Sequence, residues 1–152
     1  MGPRTFRLLS WAFALLVGLA VAAPYTMAQG VDRSLRVVVN KENKLASLST
    51  DDLNRIFLGK KTLWDSGVRI VPAMPEEESP AGETFLSGTL KKSVSQFRAY
   101  WKRLLFSGGG AVPKVFRNSS QLIDFVARNP GAIAVVETGG VEDRVRVIEI
   151  SD

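Results

Sequence analysis

Histidine and cysteine are both absent from the 152 residues. That removes His-containing triads, thiol nucleophiles and the usual zinc and copper sites. It also excludes disulfides and lipid attachment through cysteine. What remains for chemistry is carboxylates and hydroxyls. Glu76-Glu77-Glu78 with Glu83, and Asp51 with Asp52, lie close enough in sequence to be asked about paired acid–base work. Each has a plainer reading. Asp51 and Asp52 stand where a helix start favours negative charge, and the glutamate run reads as a solvated loop. The run also lacks the alternating ligands of a calcium loop. The reading is therefore of no enzyme, no metal and no cofactor.

The more informative chemistry is non-covalent. Ser79-Pro80 reads as the N-cap and first residue of a helix. A helix start presents unpaired N–H groups and the positive end of a dipole, which suits an anion. Pro80 has no N–H to give. No arginine lies between Arg69 and Arg98, and three adjacent glutamates would repel an anion. Ser107-Gly108-Gly109-Gly110 lacks the downstream Lys-Ser/Thr and the preceding strand of a nucleotide loop, so it reads as the end of a helix. Trp64, Tyr100 and Trp101 have the chemistry to line a sugar or aromatic site, but their spacing favours core packing. Lys60 and Lys61 follow a helix end, where cations suit the carbonyls, and they are also placed to attract an anion.

The elements that must position these groups follow from local signals. Leu35 to Asn40 reads as a strand, and Lys41 to Ser47 as polar connection. Ser49 caps a helix, with Leu48 and Leu53 as a hydrophobic staple and Leu53, Ile56 and Phe57 on one face. Gly59 ends it. Asp65-Ser66-Gly67 is a turn and Val68 to Val71 a strand, followed by an irregular segment from Ala73 to Glu78. The helix after Ser79 turns Phe85, Leu86 and Leu90 inward. Ser93 with Gln96 makes a capping box for the next. Phe97, Tyr100, Trp101, Leu104 and Leu105 form its apolar stripe. Asn118 or Ser119 starts a further helix, with Leu122, Phe125 and Val126 buried and Asn129-Pro130-Gly131 as its end. Ala132 to Val136 is a buried strand, Thr138-Gly139-Gly140 a turn, and Arg144 to Ile150 a last strand with Val145, Val147 and Ile148 turned inward. Such alternation argues an α/β layer structure. Trp101 and Phe57 are both expected in the core.

The N-terminus has its own character. Arg4 and Arg7 precede an apolar run from Leu8 to Ala23, and Thr26-Met27-Ala28 offers small residues for cleavage. The organisation read from this is a signal peptide over 1–28, a linker over 29–34 and one domain over 35–152, in a protein expected in the periplasm. The net charge of +5 falls to +3 once Arg4 and Arg7 are gone, with basic residues scattered among acids. Nucleic acid is not an expected partner. Membrane contact is expected only through the cleaved signal.

One set of residues carries a resemblance. Leu48-Ser49, Leu53, Ile56-Phe57-Leu58-Gly59-Lys60, Trp64, Gly67, Ile70 and Pro72 resemble the second lobe of the phosphate ABC transporter substrate-binding family, and short periplasmic proteins built on that lobe. Tyr100-Trp101 with Phe106-Ser107-Gly108, and Pro130-Gly131-Ala132-Ile133, agree in order, so the likeness spans about Val37 to Val136. It implies a single three-layer lobe of the periplasmic-binding-protein type, a mixed sheet flanked by about four helices. It also implies non-catalytic binding of phosphate or a related oxyanion. In those binders the equivalent helix start supplies hydroxyls, backbone N–H groups and an arginine. Ser79 matches as a hydroxyl, Ala81 and Gly82 as amides, and Thr84 as a second hydroxyl, with no matching arginine. Ser79 reads equally as a plain helix cap. A lobe that kept its fold but lost the anion site, and serves as an interaction module in the cell envelope, is the alternative. The length leaves room for one side of an anion site. Inorganic phosphate is therefore expected to bind the monomer weakly, and a second protein lobe or envelope partner to complete the site.

N-terminal sequencing of exported protein should give a start at or near Gln29. A start at Met1 in exported material would overturn the cleavage reading.

Overall fold

The computed structural model describes residues 34–138 and 143–152. The expected signal peptide over 1–28, most of the linker, and Gly139 and Gly140 of the expected turn lie outside the described residues. The elements run β1 (Leu35–Asn40), β2 (Ser47–Ser49), α1 (Thr50–Phe57), β3 (Val71–Pro75), α2 (Pro80–Gly88), α3 (Val94–Phe106), β4 (Lys114–Phe116), α4 (Ser119–Arg128), β5 (Ala132–Glu137) and β6 (Val145–Ser151). The six strands form one mixed sheet in the order β2-β6-β1-β5-β3-β4. β1 is antiparallel to both β5 and β6, whereas β3 is parallel to β5 and to β4.

The helix starts follow the local chemistry. Ser49, Ser79, Ser93 and Asn118 each cap a helix by accepting a backbone N–H, and Ser93 with Gln96 forms the full capping box. Alternate residues of the central strands then sort into two cores. Val37, Val39, Ile133 and Val135 join Ile56 and Phe57 of α1, Phe85 of α2, and Phe97 and Trp101 of α3. Val38, Ala132, Ala134 and Val136 join Leu122, Ile123 and Val126 of α4. Three helices therefore cover one face and α4 the other, giving the expected three layers. Phe57 and Trp101 are core residues, as expected, at 0% and 3% exposure.

Five expectations are corrected. The strand expected over Val68 to Val71 starts at Val71, and the irregular segment from Ala73 instead supplies its remainder, with Ala73 and Met74 fully buried. Val68 to Ile70 belong to a small hairpin: Trp64 N–H donates to the Val68 carbonyl at 2.9 Å, and Ile70 N–H to that of Thr62 at 2.9 Å. The two prolines hid the strand, yet they cost it nothing. Val71 N–H points to β5 and Glu76 N–H to β4. By alternation Pro72 faces β4 just before that ladder begins, and Pro75 faces β5 just beyond its end. Second, β2 and β4 are strands where none is expected: Leu48 and Ser49 of β2 are read above only as staple and cap, and Lys114 to Phe116 carries no assignment; at three residues each they have too little pattern to stand out. Third, Leu105 is exposed rather than part of a buried stripe: the covered side of α3 runs along Phe97 and Trp101, with Tyr100 and Leu104 half-buried beside them. Fourth, Val147 is exposed while Val145 and Ile148 are buried, since the α4 face of the sheet is open at that height. Fifth, Phe125 is half-buried, and Ile123 takes a core place beside Leu122.

Asn40 is the buried polar side chain that ties β1 to α4. Its amide donates to the Val126 carbonyl at 2.8 Å and the Ala127 carbonyl at 3.0 Å, and its oxygen accepts from Glu42 N–H at 2.9 Å. These carbonyls belong to the last turn of α4, where that of Val126 also accepts from Asn129 N–H at 3.3 Å. Asn40→Ala should cost about 1–3 kcal/mol in a urea titration, because two carbonyls at the helix end each lose the amide that bonds them. A loss below a few tenths would mean that water replaces the amide.

Candidate functional site

The sheet delivers the candidate site through β3. After Pro75 the chain turns through Glu76 to Glu78 and enters α2 at Ser79, whose φ of −75° and ψ of 154° are those of an N-cap. Ser79 N–H donates to the Glu76 carbonyl at 3.0 Å, and the Ser79 hydroxyl donates to the same carbonyl at 2.6 Å. Gly82 N–H in turn donates to Ser79 Oγ at 3.0 Å. The hydroxyl is thus used in both directions. Thr84 Oγ1 donates to the Pro80 carbonyl at 2.7 Å, one turn into the helix on an exposed face. Ala81, the second residue of α2, occupies a position whose N–H has no intrahelical acceptor.

Gly82 shows how tightly this turn is closed. A Cβ added there would stand 2.0 Å from the Glu76 carbonyl oxygen. The loop therefore lies directly on the first turn of α2, and only glycine permits it. The structure brings Ser79 and Gly82 into contact, keeps Ala81 at the same turn, and engages Thr84 separately.

Charge is supplied from a distance. Arg98 of α3 donates through Nε to Glu77 and through Nη1 to Glu78, the latter at 2.9 Å. Arg117, just after β4, donates to Glu76 at 3.1 Å. The hydrogen bond from Glu77, then that from Glu78, holds the Arg98 guanidinium above its ordinary pKa. All three glutamates are thereby countered. These pairs are solvent-exposed, so they set local charge more than stability. The two arginines stand 21 and 41 residues from their partners. Local reading of the loop could not find them, and only the sheet order, which puts β4 beside β3, brings Arg117 there.

The other candidates take structural places. Trp64 Nε1 donates to the Gly131 carbonyl at 3.1 Å in a buried setting, and Tyr100 hydroxyl to the Leu58 carbonyl at 2.6 Å. Gly108 and Gly110, at φ of 76° and 75°, end α3; a Cβ on Gly110 would stand 2.9 Å from the Trp101 ring. Lys61 pairs with Asp52 at 2.7 Å on the rim of an open groove of about 750 Å³. That hydrogen bond, ahead of the field of Lys61 and Arg55, holds the Asp52 carboxyl below its ordinary value. Among the described residues no cluster of three or more metal-ligating side chains occurs.

Against this geometry the comparisons are informative. No protein-family model and no curated protein matches the chain by sequence. Solved structures do match by shape. PstS from Borrelia burgdorferi aligns with a TM-score of 0.61 at 14% identity, covering 78% of this chain and 47% of its own. An ABC-type phosphate transport receptor from Vibrio cholerae aligns at 0.53 and 19% identity, with the same shares of 78% and 47%. A possible phosphate binding protein from Planctomyces limnophilus aligns at 0.57 and 18% identity, covering 78% and 41%. The chain has the fold of a lobe of these phosphate-transport proteins. It spans less than half the length of each.

Two alanine substitutions in α2 should differ in sign. Gly82→Ala drives a methyl into backbone and should cost about 1–3 kcal/mol. Gly88→Ala meets nothing within 4 Å and should stabilise by about 0.5–1 kcal/mol. Denaturant midpoints measure both, and equal effects would refute the close loop contact.

Proposed function

We propose that the chain is a secreted, non-catalytic binding protein of the periplasm, taking inorganic phosphate or a related oxyanion at the start of α2. The observation that carries the reading is the shared fold with phosphate-transport receptors over 78% of the chain. The proposed contacts are the amides of Ala81 and Gly82 and the hydroxyls of Ser79 and Thr84. The helix dipole favours an anion there. Ser79 would turn its proton from the Glu76 carbonyl toward the ligand, an exchange of one hydrogen bond for a charge-assisted one. Arg98 and Arg117 offset most of the negative charge of the glutamate loop beside that helix start.

The affinity expected from one lobe is modest. An anion on an open surface keeps water on its far side, so each missing protein donor forgoes a charge-assisted bond worth about 1.5–3 kcal/mol net. The expected dissociation constant is about millimolar. Phosphate at ~10 mM would then stabilise the protein by about 1.4 kcal/mol. In a domain of this size that is a melting shift of roughly 3–8 °C. Thermal melting across phosphate concentrations at fixed ionic strength, with chloride as the control salt, measures it. No shift at that concentration overturns the oxyanion reading. Micromolar binding by a verified monomer overturns the argument from a one-sided site.

A further inference from the structure

Between the first half of α1 and the end of α2 lies a cleft of about 530 Å³. Its floor is apolar, made by the buried Val37 of β1, Val135 of β5 and Phe85 of α2. Its two walls differ in chemistry. The α1 wall carries acceptors. The Thr50 hydroxyl donates to the Ser151 carbonyl at 3.2 Å, which brings Asp152 to the start of α1, and Asn54 follows one turn later. The Oδ1 of Asn54 is buried and finds no hydrogen-bond partner among the described residues. A buried carbonyl without a donor is costly and calls for an explanation. The α2 wall carries donors, the Thr89 hydroxyl and the Lys91 ammonium. Lys91 has a φ of 53°, in the left-handed region where glycine is easier. The lysine brings to the cleft a cation that glycine lacks.

We propose that this cleft binds a free α-amino acid with an apolar side chain. A zwitterion has the matching pair of charges. Its carboxylate meets Lys91 and the Thr89 hydroxyl, and its ammonium meets Asp152 and Asn54. The χ2 of asparagine is a broad torsion, so the amide can bring its unpaired oxygen to the cleft without moving α1. The ligand's side chain lies on Val37, Phe85 and Val135, where burial of apolar surface adds to binding. A lone anion would leave the acceptor wall unmatched, a lone cation the donor wall, and a wholly apolar molecule both. Ser79 stands at the opposite end of α2, so this site is separate and does not rest on the oxyanion reading.

Isothermal titration calorimetry of the exported protein with L-leucine tests it. The expected dissociation constant is about 0.1–1 mM, that of a small ligand in an open cleft. Isocaproate lacks the ammonium, isoamylamine lacks the carboxylate and glycine lacks the side chain. Each should bind at least about tenfold more weakly than leucine. Lys91→Gly removes the cation and relieves the left-handed backbone. It should raise the melting temperature yet weaken leucine binding at least about tenfold, a pair of opposite signs that a purely structural lysine would not give. Asn54→Leu keeps the volume without the acceptor and should weaken leucine as well. No binding of leucine at about 10 mM overturns the proposal. So does isocaproate or isoamylamine binding as tightly as leucine, or leucine binding indifferent to Lys91→Gly.

Discussion

Strand β5 has no face to give to solvent. Its first five residues are all buried, with Ile133 and Val135 turned to one core and Ala132, Ala134 and Val136 to the other. A strand in that position must be covered on both sides, and much of the remaining architecture answers that need. β1 and β3 flank it, α1, α2 and α3 close one face, and α4 closes the other. The chain then has to cross from layer to layer, and the crossings place the glutamate loop at the end of β3. The candidate site is thus a by-product of covering one strand.

What that loop does locally is close on itself. Ser79 spends its hydroxyl on a carbonyl and on an amide, and Gly82 accepts the loop backbone at a distance that excludes any other residue. Three glutamates there would be self-repelling alone. Arg98 and Arg117 reach in from separate elements and counter them. The result is a helix start whose donors and charges are held by the protein's own groups, each of which is exchangeable at little cost because the ion pairs are wet.

The helix starts were legible because capping is local: a serine or asparagine and its amide partner lie three residues apart. The core faces of α1 and α3 were legible from periodicity. β3 was not, because its prolines look like breakers until the ladders on each side show which N–H groups are unneeded. β2 and β4 were not, since three residues acquire strand geometry only from a neighbour. The same limit applied at the candidate site. Ser79 was found from its own neighbourhood, while Arg98 and Arg117 needed the tertiary fold. Exposure of Leu105 was missed because a helical stripe says which side is apolar, not how much of it is covered.

The small residues beneath α4 leave an imprint of their own. Ala73, Ala132 and Ala134 are all fully buried between the sheet and that helix, opposite the larger side chains of Ile133 and Val135. Over these alanines the sheet offers little side-chain volume to rearrange, while Val38 and Val136 fill the rest of the face. On the other face branched side chains interdigitate and can trade shape among themselves. A lineage of such lobes would drift more freely through one layer and be held to small residues at these three positions of the other. Neighbouring positions along a single strand would then record different evolutionary rates, alternating with the pleat.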